Sequence, residues 1–343
     1  MSHTRFLCVA LAVATVSSLA VAASKNAARP QVGGNWALTL DGASCGMLRQ
    51  VEGGAISAEV INETNSAGPF VKKHIGQPKY EDYTVAVGFG MGKSVYDWIA
   101  QSWAGQCPRK NGSVVALSYD MHPTSERQFL EALLTAVTIP AMDGASKEPG
   151  YITLTLSPQV TRVVKPAGKP GDYAEGGKTE QKMWVPASFR LEIAGLDCSR
   201  VSKIDSFTVK QPTVTMSTGD ARDQTREPGK LEFPNLRLTL PEANAQPFQE
   251  WHERFVLEGN NDDSQEKSGS LTLLSLSRQV ELVRIRFFNL GIIRVQPNAA
   301  NADSIRRVVV ELYVEQMEFE YLNKPAGAEA PGTAPAKPMP RRG

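Results

Sequence analysis

The feature that most constrains this chain is that it is written twice: residues of matching type recur in one order at a nearly fixed separation. Leu38-Thr39-Leu40-Asp41-Gly42-Ala43-Ser44-Cys45 lies 153 residues before Leu191-Glu192-Ile193-Ala194-Gly195-Leu196-Asp197-Cys198, giving an alternating segment, a glycine turn and a cysteine in both. Gly76 and Gly229, the alternating segments 83–87 and 236–240, and Trp98 and Trp251 keep that spacing. After a four-residue insertion in the second copy the separation becomes 157, pairing Gly112-Ser113 with Gly269-Ser270, Pro140 with Pro297, and 152–156 with a segment near 309–313. A chain of 343 residues is longer than one core usually serves. The repeat assigns the surplus to a second copy of one supersecondary unit rather than to an unrelated domain.

Within each copy, period-two alternation of apolar residues at 36–40, 83–87, 113–119 and 151–156 predicts strands. Val95, Trp98 and Ile99 stand at i, i+3 and i+4, which predicts a helix with Ser94 as its N-cap. Pro247-Phe248-Gln249-Glu250-Trp251-His252 predicts the same helix in the second copy, with Pro in the first turn, where its missing N–H costs nothing. The expected fold class is therefore mainly β: two tandem β-barrel or sandwich domains, each with one packed α-helix. Trp98 and Trp251, on the apolar faces of those helices, are the expected core anchors.

The boundaries follow from composition. Residues 1–23 read as a signal peptide: Arg5 supplies a positive charge, 6–22 is an almost uninterrupted run of small and apolar side chains, and Ala20-Val21-Ala22 suits cleavage after Ala22 or Ala23. A short linker at 24–34 precedes domain 1 at 35–165. A Gly- and Pro-rich connector follows at 166–185, then domain 2 at 186–322 and a Pro- and Ala-rich tail at 323–343 expected to be disordered. The expected location is extracellular or periplasmic, with no membrane span after cleavage. Cys8 leaves with the signal peptide, so Cys45, Cys107 and Cys198 enter a compartment that permits disulfides. Three is an odd number; one bridge (Cys45 with Cys107 being the pairing within domain 1), an intermolecular bridge, or three free thiols all remain open.

Charge and motifs argue against most chemistry. The 37 basic and 36 acidic side chains leave no net field to attract nucleic acid. Gly88-Phe89-Gly90-Met91-Gly92-Lys93-Ser94 resembles a phosphate-binding loop but has Val87 where such a loop needs its first glycine, and the second copy replaces every glycine. His74, His122 and His252 lack metal-ligand spacing. Asn260-Asn261-Asp262-Asp263-Ser264 lacks the spaced ligands and glycine of a calcium loop. No nucleophile elbow, paired-carboxylate set or Cys/His set stands out, so no catalytic residue, metal or cofactor is expected and the chain is not expected to be an enzyme.

The order of parts resembles the tail-tube protein family of contractile phage tails and related injection systems. The likeness is carried by the basic-to-aromatic approach Lys72-Lys73-His74-Ile75-Gly76-Gln77-Pro78-Lys79-Tyr80, by its counterpart Thr225-Arg226-Glu227-Pro228-Gly229-Lys230-Leu231-Glu232-Phe233, and by Tyr96-Asp97-Trp98-Ile99. The resemblance implies barrels whose sheets join edge to edge in six-membered rings that stack into a tube, with 56–73 and 209–225 as the excursions that help rings stack. Two domains per chain then imply a homo-trimer per ring, an arrangement that hides strand edges. Two features depart from the family pattern: the duplication and the export segment. The rival reading is a monomeric or trimeric binding module whose loops at 62–73 and 259–267 hold a partner.

Overall fold

A computed structural model describes residues 35–63, 69–169, 172–173, 184–216, 225–298 and 305–325. The signal peptide and linker expected at 1–34, most of the connector at 174–183, and the tail beyond 325 lie outside the described residues. The described residues form one compact unit.

The first repeat runs β1 (Trp36–Leu40), β2 (Ala43–Leu48), β3 (Gln50–Gly53), β4 (Ile56–Glu63), β5 (Lys72–Tyr80), β6 (Tyr83–Val87), α1 (Lys93–Trp103), β7 (Lys110–Leu117), β8 (Pro123–Ile139), β9 (Met142–Asp143), β10 (Ile152–Ser157) and β11 (Val160–Val164). The second runs β12 (Phe189–Ile193), β13 (Lys203–Ile204), β14 (Phe207–Lys210), β15 (Thr213–Met216), β16 (Thr225–Pro228), β17 (Leu236–Pro241), α2 (Gln246–His252), β18 (Lys267–Leu274), β19 (Val280–Pro297) and β20 (Arg307–Pro325).

Strand pairing carries the duplication down to single residues. Trp36 opposes Ala116 and Leu40 opposes Gly112 in β1–β7; Phe189 opposes Leu273 and Ile193 opposes Gly269 in β12–β18. Gln50 faces Ala86 as Lys203 faces Thr239. The β4–β5 hairpin pairs Val60 with Ile75 and Glu63 with Lys72, and the β15–β16 hairpin pairs Thr213 with Pro228 and Met216 with Thr225. The closing strands sit one residue from the expected match: Ile152 and Leu156 of β10 occupy the places of Val308 and Leu312. Backbone irregularities repeat too. Glu131 and Asn289 take positive φ of 52° and 54° where the register of the long strands shifts, and Met121 and Arg278 take 61° and 58° in the preceding hairpin turns.

Each repeat's alternating strands turn one face inward. Leu38, Leu40, Val85, Val87, Leu154 and Leu156 are buried in the first, and Leu191, Ile193, Leu238, Leu240, Val310 and Leu312 in the second. These residues belong to one continuous cluster rather than two. Full burial of a Val, Leu or Ile side chain stabilises by roughly 1.5–3 kcal/mol, so this shared core dominates stability.

One local expectation is corrected. Ser94 does not cap α1: Gly92 holds that position without a side-chain bond, and the Ser94 hydroxyl lies 3.2 Å from Cys45 Sγ instead. The connector is partly docked. Tyr173 packs with Ala37, Val115 and Leu117 on the outer face of the β1–β7 pair, while its carbonyl accepts from Ser44 Oγ at 2.8 Å. Trp184 is buried edge-on against Phe89, and an added Cβ on Gly150 would collide with its ring. These two aromatics tie the connector to the first repeat, something its Gly, Pro and Lys content does not suggest.

Candidate functional site

The most elaborated surface of the molecule is internal, where the two repeats exchange strands. β9 of the first repeat pairs with β13 of the second, Met142 opposite Ile204 and Asp143 opposite Lys203. In return β14 of the second repeat pairs antiparallel with the end of β8, from Phe207 opposite Ile139 to Lys210 opposite Ala136. Each sheet thus ends on a strand lent by its neighbour, which satisfies backbone groups that an open edge would leave unpaired. Of the excursion expected at 209–225, Val209 and Lys210 pair with β8 of the first repeat in their own chain, and β15 begins the hairpin.

Side chains lock the junction. α1 lies against β20, where Tyr96 stacks on Tyr321 with ring centroids 4.0 Å apart and planes at 6°. Trp103, at the end of α1, meets Phe319 and Phe233 edge-on. The Tyr96 hydroxyl donates to Gly88 O at 2.8 Å and accepts from Met91 N–H, and burial pushes its ionisation well above the ordinary tyrosine range. The second-repeat hairpin is held by Arg226, which pairs with Asp82 at 2.5 Å and donates to Tyr80 O at 2.6 Å and to Ser157 Oγ. Arg109 reaches across to the Arg226 carbonyl and to Glu227 at 3.3 Å.

The outer ends of the chain carry the same surfaces without partners from the opposite repeat. Phe319, 5% exposed at the junction, corresponds to Val163, 69% exposed at the free side of the first repeat. Val209, 2% exposed, corresponds to Ile56 at 46%. At the free side of the second repeat a π-helical turn, Glu253–Leu257, extends α2, and its Val256, 43% exposed, stands at the position of Trp103, 3% exposed, in α1. Along β19 the stretch 294–297 pairs with β20 alone among the described strands, whereas its counterpart 136–139 is also paired by β14.

The residues singled out from sequence fall elsewhere. Trp98 is buried and its indole N–H donates to Pro108 O at 2.9 Å; Trp251 is buried with Lys267 Nζ 5.3 Å above its ring. Cys45, Cys107 and Cys198 are free thiols. Cys45 and Cys107 do not join, because Cys45 faces Ser94 in the core while the Cys107 thiol accepts from Gln211 Nε2 at 2.7 Å. Burial pushes Cys198 up to about 11. His74 lies 3.2 Å from Glu63 on the β4–β5 hairpin, and no cluster of metal-ligating side chains occurs among the described residues. Asp262 accepts from Ser264 N–H and Oγ–H, bonds that hold its carboxyl below the usual range in an exposed turn. No helix of the described residues is long and apolar enough to cross a membrane.

Two strand-exchanged copies of one β unit, each with a helix packed on it, match a known family. The model of the T4-like virus tail tube protein gp19 fits residues 34–160 and again 185–321. The chain belongs to the T4-like virus tail tube protein family. Two matches in one chain make it a tandem tail tube protein, and the family is a structural one. Solved structures with similar folds include a chain of the anti-feeding prophage baseplate (17% identity, 39% of this chain and 92% of that one, TM-score 0.30). A sheath/tube terminator chain of an extracellular contractile injection system is 19% identical over 40% of this chain and 98% of that one, with a TM-score of 0.36. Hcp1 from Flavobacterium johnsoniae is 20% identical over 38% and 94%, with a TM-score of 0.24. These superpositions are loose and add no weight to the family match. No curated protein matches the chain.

The repeat and the family are legible in the sequence, but the junction is not. Its signals are faint: β9 is two residues long, β14 is four, and Tyr321 and Phe319 read only as ordinary alternation in a closing strand.

Proposed function

We propose that this chain is an exported structural subunit that associates head to tail through β-edges, three two-domain chains closing a pseudo-six-fold ring and rings stacking into a tube. The observation that carries the reading is the correspondence between junction and ends. Positions buried between the repeats inside one chain are matched, at the two outer ends, by exposed apolar residues of the same repeat frame. A surface on the second repeat that repeats the donor side, facing one on the first that repeats the acceptor side, is a heterologous interface, and such interfaces close into rings or extend into filaments. Six equivalent domains per ring, as the family resemblance implies, would need three chains.

The hairpins β4–β5 and β15–β16 project the exposed apolar residues Val60, Ile61, Ile75, Val214 and Met216, which suits contact between stacked rings. Export rests on the apolar run at 6–22 and its small-residue exit. The role is structural rather than catalytic. Negative-stain microscopy of the purified mature chain tests the reading: rings or hollow filaments are expected, and uniformly small particles at high concentration would overturn it.

A further inference from the structure

At the junction inside the chain, the hairpin of the second repeat is seated by charge. Arg226 enters a pocket made by Asp82, Ser157 Oγ and the Tyr80 carbonyl. Beside it Arg109 pairs with Glu227, and Gln159 Nε2 lies 3.5 Å from Thr225 Oγ1. The strand registers transfer each of these positions to the open ends. On the hairpin, β4–β5 and β15–β16 share one pairing, so Thr225, Arg226 and Glu227 correspond to Lys72, Lys73 and His74. On the receiving face, β6 and β17, β7 and β18, and β10 and β20 share theirs. Asp82 therefore corresponds to Asn235, Arg109 to Glu266, Ser157 to Tyr313 and Gln159 to Glu315.

The exchange is complementary on both sides. Where the internal junction sets Arg109 against Glu227 and Gln159 against Thr225, the open ends carry Glu266 against His74 and Glu315 against Lys72: the polarity is reversed and the match is kept. Glu266 is poised for a cation. Its Oε1 accepts from the Tyr313 hydroxyl at 2.7 Å, while its Oε2 is buried without a hydrogen-bond partner. A buried carboxylate oxygen left unpaired is costly, and an incoming imidazole N–H removes that cost with a charge-assisted bond. Glu315, held by Asn289 Nδ2 at 2.8 Å, adds a second negative charge on the same face.

We infer that Glu266 and Glu315 of one copy form the receptor for His74 and Lys72 of the next, a charge key that fixes which end of one chain meets which end of another. The inference rests on the head-to-tail reading above and adds its register and polarity. A hairpin carrying Arg226 and Glu227 does not fit this face, because Glu227 would meet Glu266. The second repeat's hairpin is thereby directed to its own chain and the first repeat's hairpin to the neighbour.

The experiment measures assembly against concentration, by light scattering after size exclusion, for the full mature chain and for Glu315→Lys, Lys72→Glu and the two combined. Each single change is expected to raise the concentration for half-assembly at least about tenfold, and the combination to bring it back to within about threefold of the original. Lys72 is exposed on a hairpin, so Lys72→Glu keeps the test valid even where Glu315→Lys disturbs the contact with Asn289. An unchanged assembly curve for Lys72→Glu, in a chain that does assemble, overturns the charge key and leaves the ring reading standing. A parent chain that stays monomeric throughout overturns both.

Discussion

Tyr96 and Tyr321 stack face to face across the boundary between two copies of the same fold, 4.0 Å apart and 6° from parallel. Neither has an aromatic counterpart at the corresponding place in the other repeat, where Gln249 and Lys165 stand. The internal junction has therefore been specialised beyond what the duplicated frame supplies. Such pairs add about 0.5–1.5 kcal/mol beyond burial. A double-mutant cycle with Tyr96→Leu and Tyr321→Leu, read by denaturant unfolding, should return a coupling in that range. Tyr96→Phe alone should cost about 1–2 kcal/mol, because it strips the partner from Gly88 O and Met91 N–H.

The Gly-Ser pairs that mark the repeat have a steric reason. A Cβ on Gly112 would overlap the Thr39 carbonyl and the Phe129 ring, and one on Gly269 would come within 2.6 Å of the Glu192 carbonyl. Gly112 lets β1 approach β7, and Gly269 lets β12 approach β18, beside the register shift. Gly112→Ala and Gly269→Ala should each lower stability by about 2 kcal/mol or more in thermal unfolding, whereas Gly259→Ala, with open space around it, should cost only the strain of its positive φ.

Glu281 is 1% exposed and bridges Arg190 at 2.5 Å and Arg284 at 2.8 Å. Removing its charge leaves two guanidinium groups facing one neutral amide. Glu281→Gln should destabilise the chain by about 3–5 kcal/mol, the range for breaking a buried pair from one side, as measured by urea unfolding.

Burial pushes the Cys198 thiol up to about 11, while an unfolded cysteine titrates near 9. The folded chain therefore keeps its proton where the unfolded chain loses it, so stability is unaffected below pH 9 and falls as pH rises from 9 toward 11. At neutral pH the folded protein then holds about 100-fold less thiolate at this position than the unfolded chain does. Iodoacetamide should label Cys198 correspondingly slowly in the native chain and readily in denaturant, and Cys198→Ser should flatten the fall in melting temperature above pH 9.

The repeat frame is legible in the sequence because core-facing alternation and tight turns impose local rules. Leu38 and Leu191, and Gly112 and Gly269, each answer to equivalent neighbours in both copies. What joins the copies obeys no local rule. Met142-Asp143 and Phe207–Lys210 become strands only because an edge of the other repeat is there to receive them. Arg226 likewise reads as an ordinary basic residue until Asp82, 144 residues away, is brought beside it. Ser94 shows the converse failure: a local capping rule yielded to a tertiary contact with Cys45.

If the internal junction is the template for contacts between chains, three chains close a ring. Mass photometry of the mature chain across a dilution series tests this most directly. A dominant species of three chains is expected and, at higher concentration, masses in multiples of three. A ladder of dimers, tetramers and other numbers not divisible by three, or monomers throughout, would contradict it.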